Sequence, residues 1–150
     1  MSERVSESLG RPVVAADTAE NVGEVKAFVL DRSGRTITQL HVAGRKRSAE
    51  MVNWSDLSGF GTDAVMVASH DTVTDSVEER ADEMVRGHVE VIGARVLDTD
   101  GFEHGVLADL EFDPATGAVI TAIGDGRQWP SDAIRSLGSY ALVVEFRSAK

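Results

Sequence analysis

The sequence predicts a mainly β fold: one small strand-rich module written twice, with a short α-helix between the copies. Three observations carry this expectation. Segment 24–40 (EVKAFVLDRSGRTITQL) lies over segment 106–123 (VLADLEFDPATGAVITAI), and the likeness runs on in order over about 55 residues. Self-similarity of this kind marks a repeated structural unit. In the second copy apolar and polar residues alternate, and glycine turns punctuate both, as half-buried strands require. Only the stretch between the copies, 70–88, carries its apolar residues at helical spacing.

Residues 1–8 are expected to form a flexible N-terminus. The first copy, 9–69, opens on a strand candidate, Pro12–Ala15, and continues through Val25–Leu30. Apart from Lys26 that second strand is apolar on both faces, so its outer face should be covered by the other copy or by another chain. Asp31-Arg32-Ser33-Gly34 turns the chain. Trp54-Ser55-Asp56-Leu57, Gly61 and the apolar run Ala64–Val67 complete the copy.

In 70–88, Val73, Val77, Ala81, Met84 and Val85 recur at three- and four-residue spacing. Asp71 or Thr72 is placed to cap the start and Gly87 to end it. This segment reads as an acidic amphipathic helical linker that packs on one module or docks on a partner. The second copy, 89–146, opens on Val91–Leu97, which ends in the turn Asp98-Thr99-Asp100-Gly101. Val106, Ala108, Leu110 and Phe112 alternate with Asp109 and Glu111, giving a strand with one buried face.

Asp113-Pro114-Ala115-Thr116-Gly117 is a turn with a mechanism, since proline presets φ and glycine accepts the left-handed conformation. Val119–Ile123 is the return strand. Pro130-Ser131-Asp132-Ala133, Gly138 and Ala141–Val144 then match 54–57, Gly61 and 64–67, and residues 147–150 form a tail. Modules this small bury best as closed barrels or sandwiches, because closure removes free strand edges.

Composition excludes several classes. The 150 residues contain no cysteine, so disulfides, thiolate metal sites and a cysteine nucleophile are out. No apolar run approaches the roughly 20 residues that span a bilayer, and MSERVSESLG has no apolar signal region, so a soluble cytoplasmic protein is expected. The formal charge of −10 argues against broad phosphate-backbone binding. That charge is uneven: 9–69 is neutral, 70–88 carries −4 and 89–150 carries −5. Arginine supplies 12 of the 15 basic residues, which suits a high-GC bacterium or an archaeon.

The order of features is a glycine (Gly23 or Gly105), an alternating strand and a Gly turn with an aspartate. A return strand, Trp54-Ser55-Asp56 or Pro130-Ser131-Asp132, a further glycine and a final apolar strand follow. This order resembles the PRC-barrel family over 9–69 and 89–146. Two residues depart from the pattern: Ala27 stands where Asp109 occurs in the second copy, and Trp54 is replaced by Pro130 with Trp129 one place earlier. The resemblance implies two tandem small PRC-type β-barrels joined by a short α-helical connector. It also implies a non-enzymatic protein that acts through its surface, as a scaffold or assembly module for protein partners or as a homodimer. By family analogy the alternative is an RNA- or ribosome-associated factor.

No catalytic residue, metal site or cofactor is expected. His88-x-Glu90 would share a strand face, yet nothing nearby completes a ligand set. Asp98-Thr99-Asp100-Gly101 matches only the start of a calcium loop. Gly59-Phe60-Gly61-Thr62-Asp63-Ala64 fits a dinucleotide fingerprint by letter but precedes a strand, where the fingerprint needs a helix. The candidate partner-binding residues are Arg45, Lys46 and Arg47, a basic run just ahead of Trp54, together with Trp54 and Trp129. A basic loop beside an aromatic suits RNA, anionic headgroups or an acidic protein, and tryptophan is common both in cores and at interface hot spots.

Overall fold

A computed structural model describes residues 2–44, 50–74, 79–85, 87 and 89–145. β structure dominates, in two sheets. The strands of the first are β2 (Pro12–Ala15), β3 (Glu20–Leu30), β4 (Ile37–Ala43), β5 (Glu50–Asn53), β6 (Leu57–Phe60) and β7 (Val65–Val67), ordered β5-β4-β3-β2-β7-β6. Those of the second are β8 (Arg95–Asp98), β9 (Glu103–Phe112), β10 (Val119–Gly124), β11 (Gln128–Pro130), β12 (Ile134–Leu137) and β13 (Leu142–Val144), ordered β11-β10-β9-β8-β13-β12. The two paths have the same order. Each has one parallel pair in the same place, β2 with β7 and β8 with β13, and each turns through a one-turn 3₁₀ helix, Trp54–Asp56 or Ser131–Ala133.

The hairpin turns form as their residues dictate. Gly34 adopts φ +72° and closes on the Asp31 carbonyl at 3.0 Å. Gly117 adopts φ +79° and closes on Asp113 at 2.8 Å, while the Asp113 carboxylate accepts from the Ala115 N–H at 2.9 Å. Asp98 does the same for the turn before β9, accepting from the N–H groups of Asp100 and Phe102 at 2.9 and 3.0 Å. The glycine-rich segment 59–64 is the β6–β7 hairpin, with Gly61 N–H on the Ala64 carbonyl at 2.9 Å.

The halves do not keep separate cores. One continuous apolar cluster runs from Val13 and Phe28 in the first sheet to Phe112 and Leu142 in the second. Phe112 sits 5.3, 5.7 and 5.5 Å, centroid to centroid, from Phe28, Trp54 and Phe60. Each hairpin tip enters the opposite half. A side chain on Gly34 would meet Ile134, Leu137 and Leu142 at 3.2 Å, and one on Gly117 would meet the Ile37 carbonyl at 2.7 Å and Trp54 at 3.0 Å. Backbone bonds seal the contact, Ile37 N–H to Gly117 O at 2.8 Å and Val119 N–H to Arg35 O at 2.9 Å.

The segments ahead of each half are exchanged in the same way. Residues expected to be flexible form β1 (Glu3–Arg4) and the single turn α1 (Val5–Ser8). β1 pairs with the end of β9, Glu3 opposite Phe112, and Ser6 binds the Asp109 carboxylate through its N–H at 3.0 Å and through its hydroxyl. Burial of Val5 and these bonds override the polar composition that predicts disorder.

The helix expected over 70–88 is shorter and starts later than the caps at Asp71 or Thr72 predict. Residues 70–72 form a 3₁₀ turn, Thr74 bridges Met51, and Val77 lies outside the described residues. Among the described residues of the linker only α2 (Glu79–Val85) is α-helical, its Ala81 and Met84 packing on Val29 and Met51. That helix covers the outer apolar face of β3 where the other copy or a second chain was expected. Arg80 reaches the carbonyls of Leu30 at 2.9 Å, Asp31 at 3.1 Å and Leu137 at 2.7 Å, tying helix, first sheet and second sheet together. The predicted opening strand of the second copy is shorter than expected, because 91–94 forms a turn with Gly93 at φ +89°.

Candidate functional site

Trp54, a candidate for partner contact, is 7% exposed and belongs to the aromatic cluster between the sheets, its Nε1–H donating to the Pro114 carbonyl at 3.2 Å. Trp129, in β11 of the second sheet, is 4% exposed and packs against Gly124 and edge-on to His104. The two tryptophans are core residues of different sheets and do not form one surface. Arg45, Lys46 and Arg47 lie outside the described residues, as do His88 and the tail 147–150. The residues bracketing the basic run, Gly44 and Glu50, line an open cleft of about 820 Å³ with Asp17, Glu20, Glu24 and Asp71.

The outward face of β8, β9 and β13 has a different character. Gly105 adopts φ +85° and the strand pairing slips between Arg95 and Leu97, so that Val106 stands opposite Arg95 and Glu103 opposite Leu97. Val143 of β13 lies beside Leu97. The Arg95 guanidinium lies 4.3 Å from the centre of the Tyr140 ring and pairs with Glu103 at 3.0 Å. Arginine is thereby held by a cation–π contact and an ion pair. Around it Tyr140 is 68% exposed and Val106 53%, and Phe102, at the head of β9, is 68% exposed. The matching positions of the first half hold exposed charges, Asp63 for Tyr140 and Glu24 for Val106.

Behind this face, Asp98 binds His104, Oδ2 to Nε2 at 2.7 Å, and Arg127 donates to His104 Nδ1 at 3.2 Å. The His104 hydrogen bond, followed by the Phe102 N–H, holds the Asp98 carboxyl below the usual carboxylate range. On the first sheet, burial and then the charge of Lys26 hold His41 below the usual imidazole value. Among the described residues no group of three or more histidine, aspartate or glutamate side chains is arranged to hold a metal, and no helix is long and apolar enough to cross a membrane.

No protein-family model matches the chain, and a search of curated proteins finds no match to it.

Sequence reasoning missed the β8–β9–β13 face. Its signal was present in Val106 and Tyr140 standing where the first copy has Glu24 and Asp63. Alternation alone assigns Val106 to the buried set with Leu110 and Phe112. The bulge that β9 makes between Leu107 and Asp109, opposite Ile123 and Gly124, puts Val106 out of phase with Leu110 and Phe112 and on the other face, and nothing in the residue types announces that slip.

Proposed function

We propose that this chain is a non-enzymatic docking module of tandem PRC-barrel type, and that it binds a partner protein through the outward face of β8, β9 and β13. One observation carries the reading: Tyr140 and Val106 are exposed on a face where the first half, with the same strand order, has Asp63 and Glu24. Exposed aromatic and aliphatic side chains set around a fixed arginine are the make-up of interface anchors. The chain carries −10, so the partner that fits best presents an apolar centre rimmed by basic residues, and charge then steers the encounter.

The alternative, an RNA-associated factor, rests on Arg45–Arg47. The residues that bracket that run in sequence, Gly44 and Glu50, line a cleft rich in carboxylates, which repel phosphate. Affinity capture from an extract of the source organism, with wild type beside Val106→Asp and Tyr140→Asp, tests the proposal. The expected result is loss of a specific protein partner by about tenfold or more in both variants at unchanged melting temperature, with Glu24→Gln behaving as wild type. Capture that survives both substitutions overturns the proposal. Recovery of RNA that is lost at high salt and in Arg45→Ala/Arg47→Ala supports the alternative, and self-association lost in Val106→Asp identifies the partner as a second copy.

A further inference from the structure

We propose that the outer edge of β11 is a second docking position, independent of the β8–β13 face, which takes one extended peptide segment from a partner protein. The first sheet supplies the template. There the corresponding edge strand, β5, is bridged on its outer side by Thr74: Met51 N–H to Thr74 O at 2.6 Å and Thr74 N–H to Met51 O at 2.8 Å. Val73, the residue before the bridge, is buried in the core. Gln128 occupies the place of Met51, each standing three residues ahead of its one-turn 3₁₀ helix.

Hydrogen-bond parity puts the backbone of Gln128 in the same state. The β10–β11 hairpin closes with Gly124 N–H on the Arg127 carbonyl at 2.8 Å, so the next pair, Ile123 and Gln128, is a non-hydrogen-bonded one. The Gln128 N–H and C=O therefore point away from β10, as those of Met51 point away from β4. Among the described residues no strand lies on that side, since β11 ends its sheet. Pro130, two residues on, has no N–H to offer, which limits pairing to one bridge, as in the first half.

Beside Gln128 an open groove of about 580 Å³ is lined by Arg127, Trp129, Pro130, Asp132, Ala133 and Glu145. Trp129, Pro130 and Ala133 give it an apolar wall suited to the side chain that Val73 represents in the first half. The surrounding segment 89–150 carries −5, so basic residues flanking the apolar one complete the match. The occupant is thus a short extended segment with a β-branched apolar residue, a bridging residue after it, and lysine or arginine on either side. Backbone bonds supply the pairing and the groove supplies side-chain selection, as in strand addition generally.

The test is a titration of ¹⁵N-labelled full-length protein with a synthetic peptide carrying valine-threonine at its centre and a lysine at each end. Saturable shifts of the Gln128 amide and the Trp129 indole are expected. Gln128→Ala keeps the backbone groups and binds within about twofold of wild type. Gln128→Pro removes the outward N–H without touching the β10 ladder and weakens binding about tenfold or more, the loss expected when a backbone bond is deleted. A peptide with aspartate in place of valine is also expected to bind more weakly. Equal binding by Gln128→Pro, or no shift at millimolar peptide, overturns the proposal. Either result leaves the Val106 and Tyr140 face untouched.

Discussion

At the scale of single residues, the two hairpin glycines do more than turn the chain. Gly117 combines a left-handed backbone with a neighbour that cannot move aside, because the atom 2.7 Å from its missing side chain is the Ile37 backbone carbonyl. Gly126 has a similar φ of +72° but open space around it. Gly126→Ala therefore meets only the left-handed penalty of about 1–2 kcal/mol. Gly117→Ala adds overpacking at the junction of the halves, for a total of about 2–4 kcal/mol. Urea denaturation of the two variants separates the terms, and equal losses would mean that the tip is not wedged against the first sheet. The turn residues were readable in the sequence because glycine and aspartate act locally. The places of Trp54 and Trp129 were not, since a tryptophan's side of the surface is set by what packs on it from distant segments.

At the scale of elements, the strands and their hairpins follow from alternation and turn chemistry, whereas the two short helices do not. α1 has four residues and α2 seven, lengths at which a helix has no stability of its own in water. Each exists because it is packed, α1 on β9 through Val5 and Ser6, α2 on β3 and β5 through Ala81 and Met84. A pattern search sees a stripe in 70–88 but has little to find in 1–8, where Val5 stands between Arg4 and Ser6.

Arg80 is the strongest tie of α2, with charge-assisted bonds to three carbonyls, the last of them in β12. Arg80→Ala leaves part-buried acceptors without their donor and is expected to cost about 2–3 kcal/mol. Arg32, exposed and paired with Glu83 at 3.1 Å, is the control, and Arg32→Ala should cost less than about 1 kcal/mol. Thermal or urea unfolding decides it, and a cost for Arg80→Ala no larger than that for Arg32→Ala would remove the helix from the set of ties between the sheets.

At the scale of the whole molecule, repetition and independence come apart. The strand order is written twice, yet Phe112 fills an aromatic cluster made by Phe28, Trp54 and Phe60, and each leading segment is spent on the opposite half. Two self-contained barrels would unfold in two steps, and damage to one would spare the other. A shared core makes a different demand. Removing a buried phenylalanine costs about 3–5 kcal/mol, a large share of the roughly 5–15 kcal/mol that a domain has in all. Because Phe112 contacts residues of both sheets, that loss falls on the molecule as one unit. Scanning calorimetry of the intact chain is expected to give one cooperative transition, with calorimetric and van't Hoff enthalpies equal. Phe112→Ala shifts that whole transition down without splitting it. Segment 89–145 alone, with Phe112 and the Gly117 tip stripped of their sockets, shows no cooperative melt. Two resolved transitions, or a second half that melts sharply by itself, would restore the picture of separate barrels. The exposed face of β8, β9 and β13 would then owe its rigidity to its own sheet and not to the first half, whose aromatic cluster holds the far end of β9.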